Sequence, residues 1–198
     1  MRRHRSSLGP HGVTDEATLL ARAAVDDPAS AERFVAVTAV DVWRLCAHLV
    51  DAEVADDLTQ LTYERALGAL PRFRGDSSAR TWLLTIARRV CADEIRHRTR
   101  RRRVEAELSV LPPAPAADFT AHGALAALIR DLPGERREAF VLTQVIGMRY
   151  GEAAEVLECP VGTVRSRVAR ARAELQEHIE SSGPAGRSDR GKWAASVE

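Results

Sequence analysis

A cluster of prolines divides this sequence into two halves. The stretch LPPAPAAD at 111–118 holds three of them, and their fixed backbone angles and missing amide donors forbid a helix and favour extended structure. On both sides, apolar residues recur at the 3.6-residue spacing of amphipathic helices. Aromatic residues make up only 5% of the chain, which favours helices over sheets. The sequence therefore predicts an all-α chain of two small helical domains joined by a Pro-rich linker.

The predicted boundaries follow the changes in composition along the chain. Both ends are polar and charged, which is typical of disordered tails. Fully extended, the linker would reach roughly 45 Å, on the order of 14 base pairs of B-DNA. The five predicted segments are a disordered tail at 1–13, a first domain at 14–103, a linker at 104–117, a second domain at 118–180 and a disordered tail at 181–198.

In the first domain, apolar periodicity predicts helices near 15–26, 30–50, 52–70 and 79–100. Asp27-Pro28 and Leu70-Pro71 separate them, because the residue before proline avoids the helical region. Ser77 or Ser78 is expected to cap the last helix. The predicted buried stripes are Val35, Ala39, Val42, Cys46 and Leu49; Leu58, Thr62, Ala66 and Leu70; and Leu83, Ala87, Val90 and Cys91.

In the second domain, helices are expected at 118–131 and 133–146, with Gly147 as a C-cap. Two more at 150–157 and 161–179 form a helix-turn-helix. The turn contains Glu158, where glycine would suit a left-handed backbone better. The predicted core residues are Leu125, Leu128, Ile129 and Leu132 of the first helix, and Val161, Val164, Val168, Ala171 and Leu175 of the last.

The last helix is predicted to read DNA. On a helical wheel, short polar and basic side chains oppose its apolar stripe, with two further arginines on the flank. Such a helix suits the major groove, where arginine contacts base edges and phosphates. The alternative is an ordinary solvated basic face. The candidate DNA-binding residues are Thr163, Arg165, Ser166, Arg167, Arg170 and Arg172.

A second basic surface follows the loop RFRGDSS and the helix after it. Aromatic and basic side chains around a loop can hold an unstacked base and a single-stranded backbone. The alternatives are that Trp82 is a core residue and that 96–103 is a solvated charge run. The candidate residues are Phe73, Arg74, Ser77, Arg80, Trp82, Arg88, Arg89, Arg96 and Arg100.

An acidic strip lies on the helix at 52–70. Glu53, Asp57, Gln60 and Glu64 recur at helical spacing, and Asp56 extends the edge. Such a strip can dock a basic partner helix. The alternative is again a solvated face.

Sequence motifs for catalysis are missing. The chain has no GxxxxGK[ST], HExxH or GxSxG motif, and its six histidines lack metal-ligand spacing. We therefore expect no catalytic residue, no metal and no cofactor. No apolar run approaches the roughly 20 residues of a membrane span, and no CxxC pair occurs, so we expect a reduced, cytoplasmic chain without membrane insertion.

Three segments together resemble the extracytoplasmic-function (ECF) sigma factors of bacterial RNA polymerase. They are DDLTQ at 56–60, WLLTIARRVCADEIR at 82–96 and CPVGTVRSRVARAR at 159–172. The resemblance implies a first domain that binds core polymerase and opens the −10 promoter element. It implies a second domain that reads the −35 element, and a linker that threads toward the active-site cleft.

The resemblance also implies roles for particular residues. Asp56, Asp57, Leu58 and Gln60 match the segment that contacts the β′ coiled coil of the polymerase. The loop Phe73–Ser78 and the start of the next helix match the part that captures a flipped −10 base, and Arg89 replaces a usual Asn. The expected partners are core RNA polymerase, double-stranded and melted promoter DNA, and an anti-sigma factor. The alternative function is a stand-alone helix-turn-helix regulator that binds DNA as a dimer.

Overall fold

The chain is helical throughout the residues that the structure describes. A computed structural model describes residues 16–108 and 121–182, and these contain no strand. The predicted all-α fold is therefore confirmed, while the predicted tail at 1–13 and most of that at 181–198 lie outside the described residues. The α-helices are α1 Glu16–Ala23, α2 Pro28–Leu49, α3 Ala55–Ala69, α4 Ala79–Leu108, α5 Ala121–Asp131, α6 Gly134–Phe140, α7 Tyr150–Leu157 and α8 Val161–Ser182.

Side-chain caps fix where the long helices begin. The Asp27 carboxylate accepts hydrogen bonds from the amides of Ala29 and Ser30, at 3.2 and 3.0 Å, and Pro28 suits the first turn of α2. At the start of α4, the Ser78 hydroxyl accepts from the Thr81 amide at 3.0 Å. The predicted serine cap is thus confirmed at the second of its two candidate positions.

The helix α4 is longer than the sequence pattern predicts. It continues to Leu108, into the stretch predicted to be linker, because RRRVEAEL is rich in good helix formers and holds no proline. The rest of the linker, 109–117, lies outside the described residues. The predicted domain boundary at 103 is therefore an interruption in apolar periodicity and not the end of the helix.

The first domain packs α2, α3 and α4 around one core. The buried stripes predicted for α3 and α4 are confirmed. On α2 the stripe is shifted, since Phe34 and Thr38 are buried where Val35 and Ala39 were expected to be. Thr38 tolerates burial because its hydroxyl bonds the Tyr63 hydroxyl at 2.7 Å and the Phe34 carbonyl at 2.6 Å.

The second domain differs from prediction in two places. The expected helix over 133–146 is α6 followed by a π-helical turn, Val141–Val145, and Gly147 ends it at φ 77°, as predicted. Leu125 is 50% exposed instead of buried. The reason is that α5 is covered near its C-terminal end, where Leu132 packs with residues of α8.

The two domains pack against each other. The helix α4 lies along α7, and α2 contacts α5, α6 and the π-helical turn. As a result, one apolar core runs from Ala17 of α1 to Val168 of α8 without a break. This packing decides which charged side chains remain free.

Gly147→Ala should destabilise the chain by about 1 kcal/mol, because a Cβ is disfavoured at positive φ. No neighbouring atom lies within 4 Å of the position of that Cβ, so the backbone alone supplies the cost. Gly151→Ala is the matched control, since this helical glycine also has open space around it. Thermal unfolding of both variants checks the prediction, and an equal effect at the two positions would contradict it.

Candidate DNA and polymerase surfaces

The helix-turn-helix is formed by α7, a short turn and α8. Glu158 occupies the left-handed region at φ 53° and ψ 41°, and the Cys159 amide donates to the Ala154 carbonyl at 3.1 Å. The Pro160 carbonyl then accepts from Thr163 at 2.9 Å and begins α8. The left-handed turn that the sequence suggested is therefore present, occupied by Glu158 instead of glycine.

The apolar stripe of α8 orients its polar face. Val164, Val168, Ala171 and Leu175 are buried, whereas Val161, at the first turn, is 37% exposed and only marginal to the core. Because the stripe faces inward, the opposite side of the helix is open to solvent. Ser166 and Arg170 are exposed there, Arg165 and Arg172 are exposed on the flank, and Thr163 is half-buried. Arg172 donates to the Gln144 side-chain oxygen at 2.6 Å.

Arg167 is not free for a partner, in contrast to the prediction. Only 21% of its side chain is exposed, and its Nη2 atom donates to the Glu135 carboxylate at 2.6 Å. Its Nη1 atom also lies 3.7 Å from the Cys159 sulfur. The helical wheel placed this residue outward, but α6 brings Glu135 beside α8, and sequence periodicity does not show that approach.

Three arginines of α4 hold the second domain and are called the interface arginines: Arg80, Arg88 and Arg89. Arg80 donates to the Ile146 carbonyl at 2.9 Å and to Asp41 at 2.7 Å. Arg88 pairs with Glu138 at 2.9 Å.

The third interface arginine reaches the helix-turn-helix itself. Arg89 pairs with Glu158 at 2.8 Å, and this hydrogen bond lowers the pKa of the Glu158 carboxyl below its usual value. Because the pKa of the folded carboxyl is lowered, the pair stabilises the folded state at pH values above the ordinary carboxyl range. This stabilisation is lost as the pH falls through the lowered pKa. The left-handed turn does not explain why a glutamate occupies position 158. Its side chain instead forms a contact between the two domains.

The other residues predicted for the second basic surface remain beside the RFRGDSS loop or farther along α4. Phe73 and Trp82 are half-buried and their rings are 5.0 Å apart, so Trp82 both packs on the core and keeps an exposed edge. Arg74 pairs with Asp76 at 3.1 Å with both side chains largely exposed, and Ser77 is half-buried. Farther along α4, Arg96 forms an ion pair with Asp93, and Arg100 is exposed.

The acidic strip on α3 is exposed, but one of the predicted polymerase contacts on this helix is not. Asp56, Asp57 and Gln60 face solvent, and Gln60 donates to Glu64 at 3.1 Å. Leu58 is only 6% exposed, so its side chain cannot serve as the predicted polymerase contact. It belongs to the core stripe of the helix and holds the acidic side outward.

One neighbour of this strip was absent from the sequence prediction. The Trp43 indole nitrogen donates to Asp56 at 2.9 Å, and Trp43, Val37 and Val40 form an exposed apolar stripe on α2. Their spacing of three residues could have indicated a second exposed face on this helix. The acidic strip and the apolar stripe form one continuous surface through Trp43 and Asp56.

Within the described residues, no group of three or more His, Cys, Asp or Glu side chains is arranged to hold a metal ion. In the same ranges, no helix combines the length and apolar character needed to cross a bilayer.

Comparison with protein families decides what the two domains are. The sigma-70 region 2 family matches residues 34–101, and the sigma-70 region 4 family matches residues 122–175. The ECF RNA polymerase sigma factor SigC of Mycobacterium tuberculosis is 50% identical over 153 residues, which cover 75% of this chain and 83% of that protein. The chain belongs to the ECF sigma factors. It is therefore a promoter-specificity subunit for transcription initiation, and the stand-alone dimeric regulator is not favoured.

Further relatives agree with this assignment. EcfG of Rhodopseudomonas palustris is 38% identical over 131 residues, covering 63% of this chain and 71% of that protein. A solved structure of CnrH with the cytosolic domain of CnrY has a TM-score of 0.69 at 28% identity, covering 85% of this chain and all of that one. RpoE of Bartonella quintana, solved with the anti-sigma factor NepR, has a TM-score of 0.65 at 25% identity, covering 77% and 98%.

Glu138→Gln should favour separation of the domains, because it removes the charge that faces the half-buried Arg88. A loss on the order of 1 kcal/mol would shift the equilibrium about fivefold. Small-angle scattering should then show a larger radius of gyration than for the unaltered chain.

The matched control for this experiment is Glu94→Gln. Glu94 pairs with Arg98 at 2.7 Å on the same helix and is similarly shielded, but both partners belong to α4. The interface account is contradicted if the two variants scatter alike.

Proposed function

We propose that this ECF sigma factor reads −35 DNA with α8 and −10 DNA with α4 and the preceding loop, and that it does so after its domains separate. The observation that carries this proposal is the pairing of Arg80, Arg88 and Arg89 with the second domain. These are side chains that would contact promoter DNA. One guanidinium group cannot hold a carboxylate and a phosphate in the same place, so the interface contacts and the DNA contacts are alternatives.

For the −35 element, the exposed first turns of α8 supply the readout. Arg165 and Arg170 can donate bidentate hydrogen bonds to guanine or hold phosphates, while Ser166 contacts bases or backbone. The helix N-terminus also favours a phosphate. Arg167 contributes by positioning α8 through its ion pair with Glu135.

For the −10 element, the loop before α4 supplies an aromatic surface for an unstacked base. The exposed edges of Phe73 and Trp82 offer stacking, and Arg74 and Ser77 lie beside them. Arg96 and Arg100 extend the basic surface along α4 toward the phosphate backbone. Separation of the domains would add the three interface arginines to this surface.

For polymerase binding, the continuous surface of α2 and α3 fits a basic amphipathic helix, such as one helix of the β′ coiled coil. Asp56, Asp57 and Gln60 supply charge and hydrogen-bond acceptors. Val37, Val40 and Trp43 supply apolar area.

The chain works as a recruiting and DNA-reading subunit, acts in the cytoplasm where polymerase resides, and carries out no chemical step of its own. Because RpoE was solved with an anti-sigma factor, we include such an inhibitor among the partners of this chain.

Light scattering separates this function from a dimeric regulator: we expect a monomer in solution that enters a complex with core polymerase.

Arg165→Ala and Arg170→Ala should each weaken promoter binding by about 1–3 kcal/mol, and a base-reading arginine should relax preference at one position. Binding of the holoenzyme to a set of −35 variants measures this. Arg33→Ala on α2 is the charge-matched control and should leave binding unchanged, since Arg33 is exposed and pairs with Glu16. If all three variants bind alike, α8 is not the reading helix.

Asp57→Arg should weaken the binding of core polymerase about tenfold, with the defect larger at low salt, because it reverses a charge opposite a basic partner. Glu177→Arg, a charge reversal at another exposed position, on α8, is the control. Titration of labelled chain with purified core enzyme measures both. Equal affinities for the two variants would remove α3 from the polymerase surface.

A further inference from the structure

The core of the first domain contains two thiols in contact. The Cys46 sulfur on α2 and the Cys91 sulfur on α4 are 3.7 Å apart, and both residues are fully buried. They are separated by 45 positions in sequence, so the fold alone brings them together. Neither residue is among the candidate DNA or polymerase contacts described above.

The surroundings of the pair make the two sulfurs unequal. Donation of the Cys91 S–H to Cys46 lowers the pKa of the Cys46 thiol, although burial opposes this. The same hydrogen bond, together with burial, raises the pKa of Cys91. The lower pKa makes Cys46 the better nucleophile, with the Cys91 thiol beside it.

We propose that Cys46 and Cys91 form a peroxide-sensitive site, at which oxidation joins α2 to α4 through a disulfide bond. The geometry carries this proposal, because the two sulfurs are in contact and closure to a disulfide needs a movement of less than about 2 Å. Two packed helices can supply such a movement by rotation about the cysteine Cα–Cβ bonds. Because both thiols are buried, peroxide reaches them through transient local openings of the helix packing.

The reaction proceeds in two balanced steps. The Cys46 thiolate attacks one peroxide oxygen, the O–O bond breaks, and the hydroxide that leaves takes a proton to become water. Cys46 is then a sulfenic acid. The Cys91 sulfur attacks the Cys46 sulfur, the S–O bond breaks, and the Cys91 proton leaves with that oxygen as a second water. Overall, two thiols and one peroxide give one disulfide and two waters.

The position of the pair connects this site to the two binding surfaces. Cys46 lies one helical turn after Trp43, and Cys91 lies one turn after Arg88. A covalent bond would therefore fix the polymerase-side helix against the DNA-side helix. It would also close a long loop, which restricts the unfolded chain.

The test uses the folded chain with Cys159→Ser, since Cys159 is the half-exposed thiol. The chain is treated with hydrogen peroxide at neutral pH without denaturant, quenched, and analysed by intact mass and peptide mapping. We expect a loss of about 2 Da in the main product. We further expect a cross-linked peptide containing Cys46 and Cys91, no thiol open to alkylation after denaturation, and full reversal by a dithiol reductant.

Two controls keep the result interpretable. Cys46→Ser and Cys91→Ser in the same background each leave one thiol and should show no loss of mass, and the result with the Cys159→Ser chain stands even if one of these fails to fold. The proposal is overturned if that chain stays reduced under peroxide, or if it gains oxygen on single thiols without cross-linking. It is equally overturned if the cross-link appears only after the chain is unfolded.

Discussion

The proposed DNA-bound state depends on the contacts that three arginines on α4 make with the second domain. Arg88 with Glu138 and Arg89 with Glu158 are charge-assisted pairs across the interface, and Arg80 donates to the Ile146 carbonyl. Because these arginines lie on the surface proposed to meet −10 DNA, the packed arrangement occupies the groups that the proposed promoter contacts would use. Exchange of carboxylates for phosphates replaces one set of charge-assisted hydrogen bonds with another, and a partner that binds only the separated state shifts the equilibrium toward that state.

The same constraint explains Glu158. Its left-handed backbone is a position where glycine would relieve strain, yet the glutamate pairs with Arg89 and so joins the helix-turn-helix to α4. The residue is therefore better understood as a contact between domains than as a turn residue. The backbone strain of a non-glycine residue in this turn is offset by the contact that its side chain makes with Arg89.

Sequence periodicity predicted those parts of the fold that depend on a single helix. The bounds of α7 and the buried stripes of α3 and α4 follow from local spacing and prolines. Arg167 and the interface arginines could not be predicted in this way, because their partners come from helices distant in sequence. Leu58 shows where a family motif misleads. The motif predicts that its whole segment contacts the polymerase, but the Leu58 side chain is buried in the core.

The distance between the two domains tests the central claim most directly. Dyes at Ala36→Cys on α2 and Ala173→Cys on α8, both exposed, with the native cysteines replaced by serine, report it by energy transfer. We expect a short distance in the free chain and a long one in complex with core polymerase and promoter DNA, with Glu138→Gln already shifted toward the longer distance. A promoter-bound complex that retains the short distance of the free chain would contradict the account.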